Sequence, residues 1–420
     1  MRSNAPVRVL TRSASLCDQP VMDEQLLHTL RQHVHDVADV VVATRRDIHA
    51  HPELGNQEQR TPALIASALR QLDLELQERV GGTGMIAVLR GMHPGPTLAL
   101  RADMDALPLH EAPDRPYHSR VPGVMHACGH DGHVAMALGA ARVLHALRDQ
   151  LHGNVKFLFQ PAEETYGGAS EMIADGCLTR EPAVDAVFGL HLEPLGQVGE
   201  LRLRSGPIMA SSDVVRIVVQ GKGGHASEPH DCIDPVPVAA QVITNLQTLV
   251  TRRFDVKSPV VITITYLQAG SAFNVIPSEV VLAGTVRTVD PTVRAAMPGR
   301  IEQLVRHTAE AFGATAEVAY VSGSGVVVNH AGFSDFVRQV VSHTRGPDAI
   351  VEMPHPVMGA EDFGLYLERV PGTFAFLGAR PAHQAPFPCH HPQFDIDESA
   401  LAVGVEVLAA VALAYLKPLP

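Results

Sequence analysis

Residues 126–133 read His-Ala-Cys-Gly-His-Asp-Gly-His, and no other stretch constrains this chain as tightly. A thiol and three imidazoles crowd into one loop between apolar segments. Cys128 and His130 are two positions apart, so in an extended loop both can reach one cation. Thiolate and imidazole together suit zinc-like divalent metals. The competing reading is a redox or disulfide cysteine beside surface histidines. Matching carboxylate and histidine clusters downstream favour the metal.

At 420 residues the chain is too long for one ordinary domain, so two are expected. A hydrophobic content of 46% with 19% charged residues describes a globular protein with a real core. The formal net charge of −12 argues against nucleic-acid binding, which wants a basic face. No apolar run reaches membrane-spanning length. Residues 1–21 carry Arg2, Arg8 and Arg12 without a signal-type apolar core. They read as a disordered tail, with Met22 as an alternative start. Five scattered cysteines (Cys17, Cys128, Cys177, Cys232 and Cys389) point to reduced thiols in a cytoplasm rather than a disulfide framework.

Leu26, Leu30, Val34, Val37 and Val41 recur at helical spacing and predict a helix over 23–48, ending before Pro52. Thr97–Arg101 reads as a buried strand that delivers Asp103 and Asp105. The Ala-rich stretch 134–148 predicts a helix leading out of the metal loop. Val155–Phe159 and Ala186–Leu190 read as parallel strands with a helix between them. Alternating strand and helix signals indicate an α/β sheet with covered faces. The pattern then changes: strand 212–220, helix 235–250, strands 259–268 and 279–289, helix 293–312, strand 315–321. That order, βαββαβ, is the ferredoxin-like unit. It predicts an inserted domain over 206–316, within a discontinuous α/β domain made of 22–205 and 317–420. Thr373–Leu377 is a further strand, and a helix closes the chain.

Four chemically loaded clusters fall at predicted strand ends, where open sheets place their sites. They are Asp103-Met104-Asp105, the Cys128/His130 loop, Glu163-Glu164 after a strand, and His191. A fifth is Cys389-His390-His391-Pro392 near the C-terminus. Each alone is weak, since an isolated Glu-Glu is usually solvated. Five together are not. Adjacent glutamates on a strand or sharp turn point different ways, so one can bind metal while the other faces water. Gly221-x-Gly223-x-x-Ala226 mimics a dinucleotide loop, but Pro229 and Pro235 disrupt the helix such a loop needs.

These residues resemble the aminoacylase/carboxypeptidase family of two-metal hydrolases. The branch is that of hippurate hydrolase, bacterial N-acyl-amino-acid amidohydrolases and plant indole-acetyl-amino-acid hydrolases. The matching stretches are Arg46–His49 with Pro52–Leu54, Arg101–Pro108, His126–His133, Pro161–Glu164, Gly189–His191, Gly221–Ala226, Phe273–Pro277, Gly359–Phe363 and His390–Pro392. The resemblance spans roughly residues 25–415.

It implies a mixed-sheet, two-metal peptidase-like catalytic domain with an inserted ferredoxin-like domain serving as lid and dimerisation element. Cys128, His130, Glu164, His191 and His390 are the implied metal ligands, with Cys128 bridging and His391 an alternative to His390. Glu163 is the implied general base and Asp105 the carboxylate that orients a ligand. His225 is implied to steady the tetrahedral oxyanion in a partner subunit. Asn274, Arg287 and Gly359 are the substrate-binding candidates. The role of Asp103 stays open, because other branches place a ligand histidine there. Zinc or manganese is the expected pair of divalent ions, with cobalt and nickel as alternatives. The expected reaction is cleavage of N-acyl-L-amino acids into a carboxylate and a free amino acid by a cytoplasmic homodimer or higher homo-oligomer. A dipeptidase or carboxypeptidase on the same scaffold is the first alternative. A catalytically inactive metal-dependent binding protein is the second, and the retained Glu163, Asp105 and His225 argue against it. His49, His51, His93, His118, His230 and His355 read as structural, with His126 and His133 able to support a ligand.

Overall fold

The computed structural model describes residues 22–112, 115–165, 167–382 and 385–418, which fall into two compact units. The N-terminal tail and its Cys17 lie outside the described residues. The first unit takes in the chain up to Gly206, Val328–His355 and the stretch from Asp362 onward. The second is Pro207–Val327 with Pro356–Glu361.

The first unit begins with helix Glu24–Ala50. Asp23 caps it by accepting Leu26 N–H at 2.8 Å, and it stops two residues before Pro52. Leu27, Leu30, Val34, Val41 and Ile48 form its buried stripe. Helices His130–Ala146 and Ser399–Tyr415 pack on it and on one another. Both are apolar nearly all round, which only a helix with neighbours on every side can sustain. Beside them lies an eight-stranded mixed sheet in the order Glu75–Glu78, Met85–Arg90, His152–Gln160, His93–Asp103, Ala186–Glu193, Gly372–Gly378, Leu201–Leu203, Ile350–Glu352. The central four strands, from His152–Gln160 to Gly372–Gly378, run parallel. They read as unbroken buried runs, as strands covered on both faces must.

Parallel pairing aligns the C-terminal strand ends. Asp103 sits directly opposite Gln160, so the Asp103–Asp105 loop and the Pro161–Glu164 turn leave the sheet side by side. His191 lies near the end of the next strand, opposite Phe376. This edge, where side chains leave the sheet's hydrogen-bond ladder, is the usual location of sites in open α/β sheets.

The second unit has the βαββαβ order: Ser212–Gln220, helix Pro235–Arg253, Val260–Ala269, Glu279–Thr288, helix Pro291–Glu310, Thr315–Ser324. Its sheet runs Val260–Ala269, Glu279–Thr288, Ser212–Gln220, Thr315–Ser324, with every pairing antiparallel, which is the ferredoxin-like arrangement. Val215, Ile217 and Val219 alternate inward and meet Val238, Val242, Leu246, Ile301 and Val305 from the two helices. The unit continues past residue 316, because Thr315–Ser324 is its edge strand. It also recovers Pro356–Glu361. Ala210 N–H bonds to Val357 O at 3.1 Å and Gly359 O at 2.9 Å, and Val357 N–H to Ile208 O at 2.9 Å.

Candidate metal centre

Backbone geometry aims the expected ligands. Gly129 caps helix His130–Ala146 at φ +90°, a left-handed conformation that glycine adopts without strain. That turn sets Cys128 before the helix and His130 as its first residue. Ala162 also has positive φ, at +51°, and Glu58 accepts its N–H at 3.1 Å, fixing the turn that carries Glu163 and Glu164. His390, at φ +65°, donates its backbone N–H to Ala127 O at 2.7 Å and so ties the C-terminal cluster to the metal loop.

The ligand-type atoms gather into two triads that share one sulfur. Cys128, His130 and His191 form one, and Cys128, Glu164 and His390 the other, with all atoms of each triad within 4.8 Å of one another. Glu163 joins neither triad but lies as close to His130 and Glu164. Glu163 is buried. His391 is turned elsewhere: its Nδ1 accepts Gln393 N–H at 3.1 Å and its ring stacks on Phe387.

The tautomers suit a cation. His130 Nδ1 faces the main-chain oxygen of Asp105 at 3.0 Å, and His191 Nδ1 donates to Leu192 O at 2.8 Å, so in the neutral form of each ring Nε2 carries the lone pair. His130 Nε2 is buried and has no hydrogen-bond partner; its nearest acceptors stand at 3.6 Å (Asp103) and 4.0 Å (Glu164). Cys128 Sγ and His191 Nε2 are 3.5 Å apart. Two tetrahedral ligands with bonds of about 2.3 Å to sulfur and 2.0–2.1 Å to nitrogen would stand about 3.6 Å apart. An orphaned buried imidazole nitrogen and donors at ligand spacing fit a metal pair.

Around the triads lies a buried ionic frame. Arg101 pairs with Asp103, reaches Asp362 at 3.1 Å and bonds Gln160 Oε1 at 2.8 Å, and Gln160 Nε2 donates to Asp362 at 2.7 Å. His133 accepts Leu192 N–H at Nε2 (2.9 Å), so its Nδ1–H donates to Asp103. Asp103 thereby pairs with Arg101 and His133. Burial alone would raise its pKa, but Arg101, His130 and His133 outweigh that and hold it well below the usual range. Burial opposes charge on His130 too, yet Asp103, Asp105 and Glu164 raise its pKa. Glu164 is lowered against its own burial by the bond to His390 and the charge of His130. Burial beside His133 drives His191 well below 6.5. A hydrogen bond with the Cys389 thiol, with burial added, pushes Cys128 up. The sequence offered no role for Cys389 and no sign of the Arg101–Gln160–Asp362 frame. His126 is buried with both ring nitrogens unpartnered, and burial pushes it down to about 4, so it is neutral.

The remaining expected residues belong to the second unit. His225 pairs with Val275 across a two-residue ladder, and Ala226 N–H bonds Asn274 O at 3.1 Å, so His225 and Asn274 are neighbours and both exposed. Ser227 N–H donates to His225 Nδ1 at 3.2 Å. Arg287 donates to Met358 O at 2.9 Å, one residue from Gly359.

Residues 99–414 match the model of peptidase family M20/M25/M40. Thermostable carboxypeptidase 1 of Saccharolobus solfataricus is 39% identical over 93% of this chain and 99% of its own. N-acetyl-L-cysteine deacetylase of Bacillus subtilis is 40% identical over 86% and 84%. Among solved structures, the Bacillus subtilis YXEP protein, a dinuclear metal binding peptidase, superposes with a TM-score of 0.80 at 36% identity, covering 91% of this chain and 99% of that one. With two candidate triads on one sulfur beside a sheet shared with such relatives, the protein is a metal-dependent amidohydrolase, and the chain belongs to peptidase family M20/M25/M40.

Proposed function

We propose that the protein hydrolyses the amide bond of N-acyl-L-amino acids, releasing a carboxylate and a free amino acid. The observation that carries this reading is a buried carboxylate, Glu163, held close to His130 and Glu164 of two candidate ligand triads that share Cys128. A carboxylate at that place is where a general base for a metal-activated water would stand. Cys128, His130 and His191 would hold one divalent ion, and Cys128, Glu164 and His390 the other. Bound there, two divalent ions lower the pKa of water from 15.7 towards about 7 and polarise the scissile carbonyl. Glu163 takes the proton from the attacking water and returns it to the leaving amine. Asp105 fixes His130 and, through Glu164 N–H at 3.0 Å, the opposite triad.

We assign His225 to the oxyanion of the tetrahedral intermediate in a partner subunit. Its Nδ1 accepts from Ser227, which leaves the proton on Nε2, the donor such a role needs. Asn274, Arg287 and Gly359 remain candidates for holding the substrate carboxylate, Arg287 through the donors not given to Met358 O. The ferredoxin-like unit, with a core of its own, serves as lid and dimerisation element. No helix among the described residues is long and apolar enough to cross a membrane, and the scattered thiols suit a cytoplasmic setting.

The N-acetyl-L-cysteine deacetylase relative supports the acyl-amino-acid reading, and the carboxypeptidase relative favours peptides as the second reading. A hydrolysis panel decides between them. Acetyl-, benzoyl- and long-chain-acyl-amino acids should be cleaved faster than dipeptides with zinc, manganese or cobalt added. A kcat/KM higher for dipeptides than for every acyl-amino acid would establish the second reading instead.

A further inference from the structure

Cys389 is a thiol beside the candidate centre that the proposed chemistry leaves unused. It is half-buried, packs at the margin of the main core and lies close enough to Cys128 for each thiol to influence the other's ionisation. The main chain brings the two segments together. His390 N–H bonds Ala127 O at 2.7 Å, and the two cysteines flank that bond, Cys389 preceding one end and Cys128 following the other. A disulfide asks for Cα atoms about 5.5–6 Å apart, a spacing that segments joined by a main-chain hydrogen bond readily provide. Cys389 joins neither ligand triad, so its sulfur adjoins Cys128 without sharing its ion positions. The pair thus joins the sulfur that both candidate triads would share to a second thiol outside them.

We infer that Cys128 and Cys389 form a reversible disulfide in the metal-free protein, and that this modification and metal loading exclude each other. The inference rests on the reading of Cys128 as the shared ligand. The oxidant is a hydroperoxide. One thiolate attacks the peroxide oxygen, breaking the O–O bond and giving a sulfenic acid and water. The second thiol then displaces the sulfenic oxygen as water and closes the S–S bond. In sum, two thiols and one hydrogen peroxide give one disulfide and two waters. Each triad then loses its common sulfur and keeps only two donors, too few for a closed site. Conversely, a thiolate that shares its electrons with two cations is a much weaker nucleophile than a free one and is screened from the peroxide. A dithiol reductant reverses the bond by exchange.

The test treats the full-length protein, stripped by chelator or reloaded with zinc, with equimolar hydrogen peroxide. Free thiols and bound zinc are counted, and disulfide-linked peptides are identified by mass spectrometry. The stripped protein should fall from five thiols to three, yield a Cys128–Cys389 peptide and take up no zinc until treated with dithiothreitol. The zinc-loaded protein should keep all five. Cys389→Ser should still bind zinc when reduced. After excess peroxide, however, it should fail to regain zinc with dithiothreitol, because its Cys128 goes on to sulfinic acid. Oxidation at the same rate with and without zinc, a linkage between other cysteines, or full recovery of the variant would overturn the inference. Reduced wild type that binds no zinc would instead overturn the metal reading beneath it.

Discussion

Asp105 holds His130 with two oxygens. His130 Nδ1 is 3.0 Å from the main-chain oxygen of Asp105 and 3.2 Å from its carboxylate, while the other carboxylate oxygen accepts Glu164 N–H at 3.0 Å. One residue therefore contacts a candidate ligand in each triad. Asp105→Ala keeps the main-chain contact but frees the His130 ring and the Glu164 turn. Loss of such supporting contacts costs about 10–100-fold in metal affinity. Chelator competition on the variant should show that loss, and excess metal should restore part of its turnover. Unchanged metal affinity would remove Asp105 from this role.

Glu163 and Glu164 are neighbours to which the proposed mechanism assigns different duties. Glu163→Gln keeps the shape but cannot take a proton, so turnover should fall about 10²–10⁴-fold with the metal content intact. In Glu164→Gln the charged ligand beside His390 is gone, so bound metal itself should fall. Measuring metal and turnover in both variants decides the assignment. A metal-free Glu163→Gln beside a metal-replete, inactive Glu164→Gln would reverse it.

The clustering of the candidate ligands was legible because each is a chemically distinctive residue, and three of them, Cys128, His130 and His191, lie at or beside a helix start or strand end that pattern locates. The ferredoxin-like unit was legible for a similar reason. Its strands alternate cleanly, as in Ser212–Gln220, and Asp234 and Asp290 announce its two helices, each with proline next. Other features leave no local trace. Arg101 meets Gln160 across 59 residues and Asp362 across 261, and nothing near any of them signals the pairing. Edge strand Glu75–Glu78 is mostly polar and partly exposed, so it carries no alternation to read. The return of Pro356–Glu361 to the second unit depends on main-chain bonds to Ile208 and Ala210, which side-chain pattern does not encode. The contact between Cys128 and Cys389 likewise arises from tertiary closure.

Arg45 is fully buried and bonds Asp131 at 2.8 Å, with Asp395 and Glu398 each at 3.3 Å and the Tyr117 ring beneath it. Asp131 is buried as well and takes a second bond from His49 at 2.7 Å. Arg45→Met fills the space but leaves a buried carboxylate short of its cation. Breaking a buried pair from one side costs about 3–5 kcal/mol. Chemical denaturation should report a loss of that order. A change below about 1 kcal/mol, the range of exposed pairs, would show that water reaches the site.

Lys156 supplies a pH dependence remote from the metal. It is buried, donates to Cys177 O at 3.2 Å and Arg180 O at 2.7 Å, and desolvation pushes its pKa down from 10.5 to about 8. Below that pH both folded and unfolded chains carry the proton, and the burial penalty is constant. Between about 8 and 10.5 the unfolded chain binds more protons, so this group makes stability rise with pH. Cys177, pushed up from 9.0 to about 12 by its burial, acts in the opposite direction above pH 9, so the window from about 8 to 9 is the informative one. Wild type should gain stability relative to Lys156→Met across that window in denaturant titrations. A wild-type-minus-variant difference that stays flat or falls would mean that Lys156 keeps its ordinary pKa.

His225 provides the test of subunit cooperation. It is exposed, its Nδ1 is occupied by Ser227, and its neighbour Asn274 is a substrate-binding candidate. If His225 serves a partner subunit's centre, His225→Ala and Glu163→Ala chains are each inactive alone but complementary when mixed. A mixed dimer holds one centre with an intact Glu163 served by an intact His225, and a second centre lacking both. With equal amounts and free exchange, half the dimers are mixed and each has one competent centre of two. Activity should therefore return to about a quarter of wild type, with KM unchanged, because the restored centre is complete. The signal should appear at the rate of subunit exchange, followed independently with differently tagged chains. Proven exchange with no recovered activity would place His225 in its own subunit's site or outside catalysis. Residual activity in His225→Ala alone, with kcat lowered and metal content intact, would then measure what the oxyanion contact contributes within one chain.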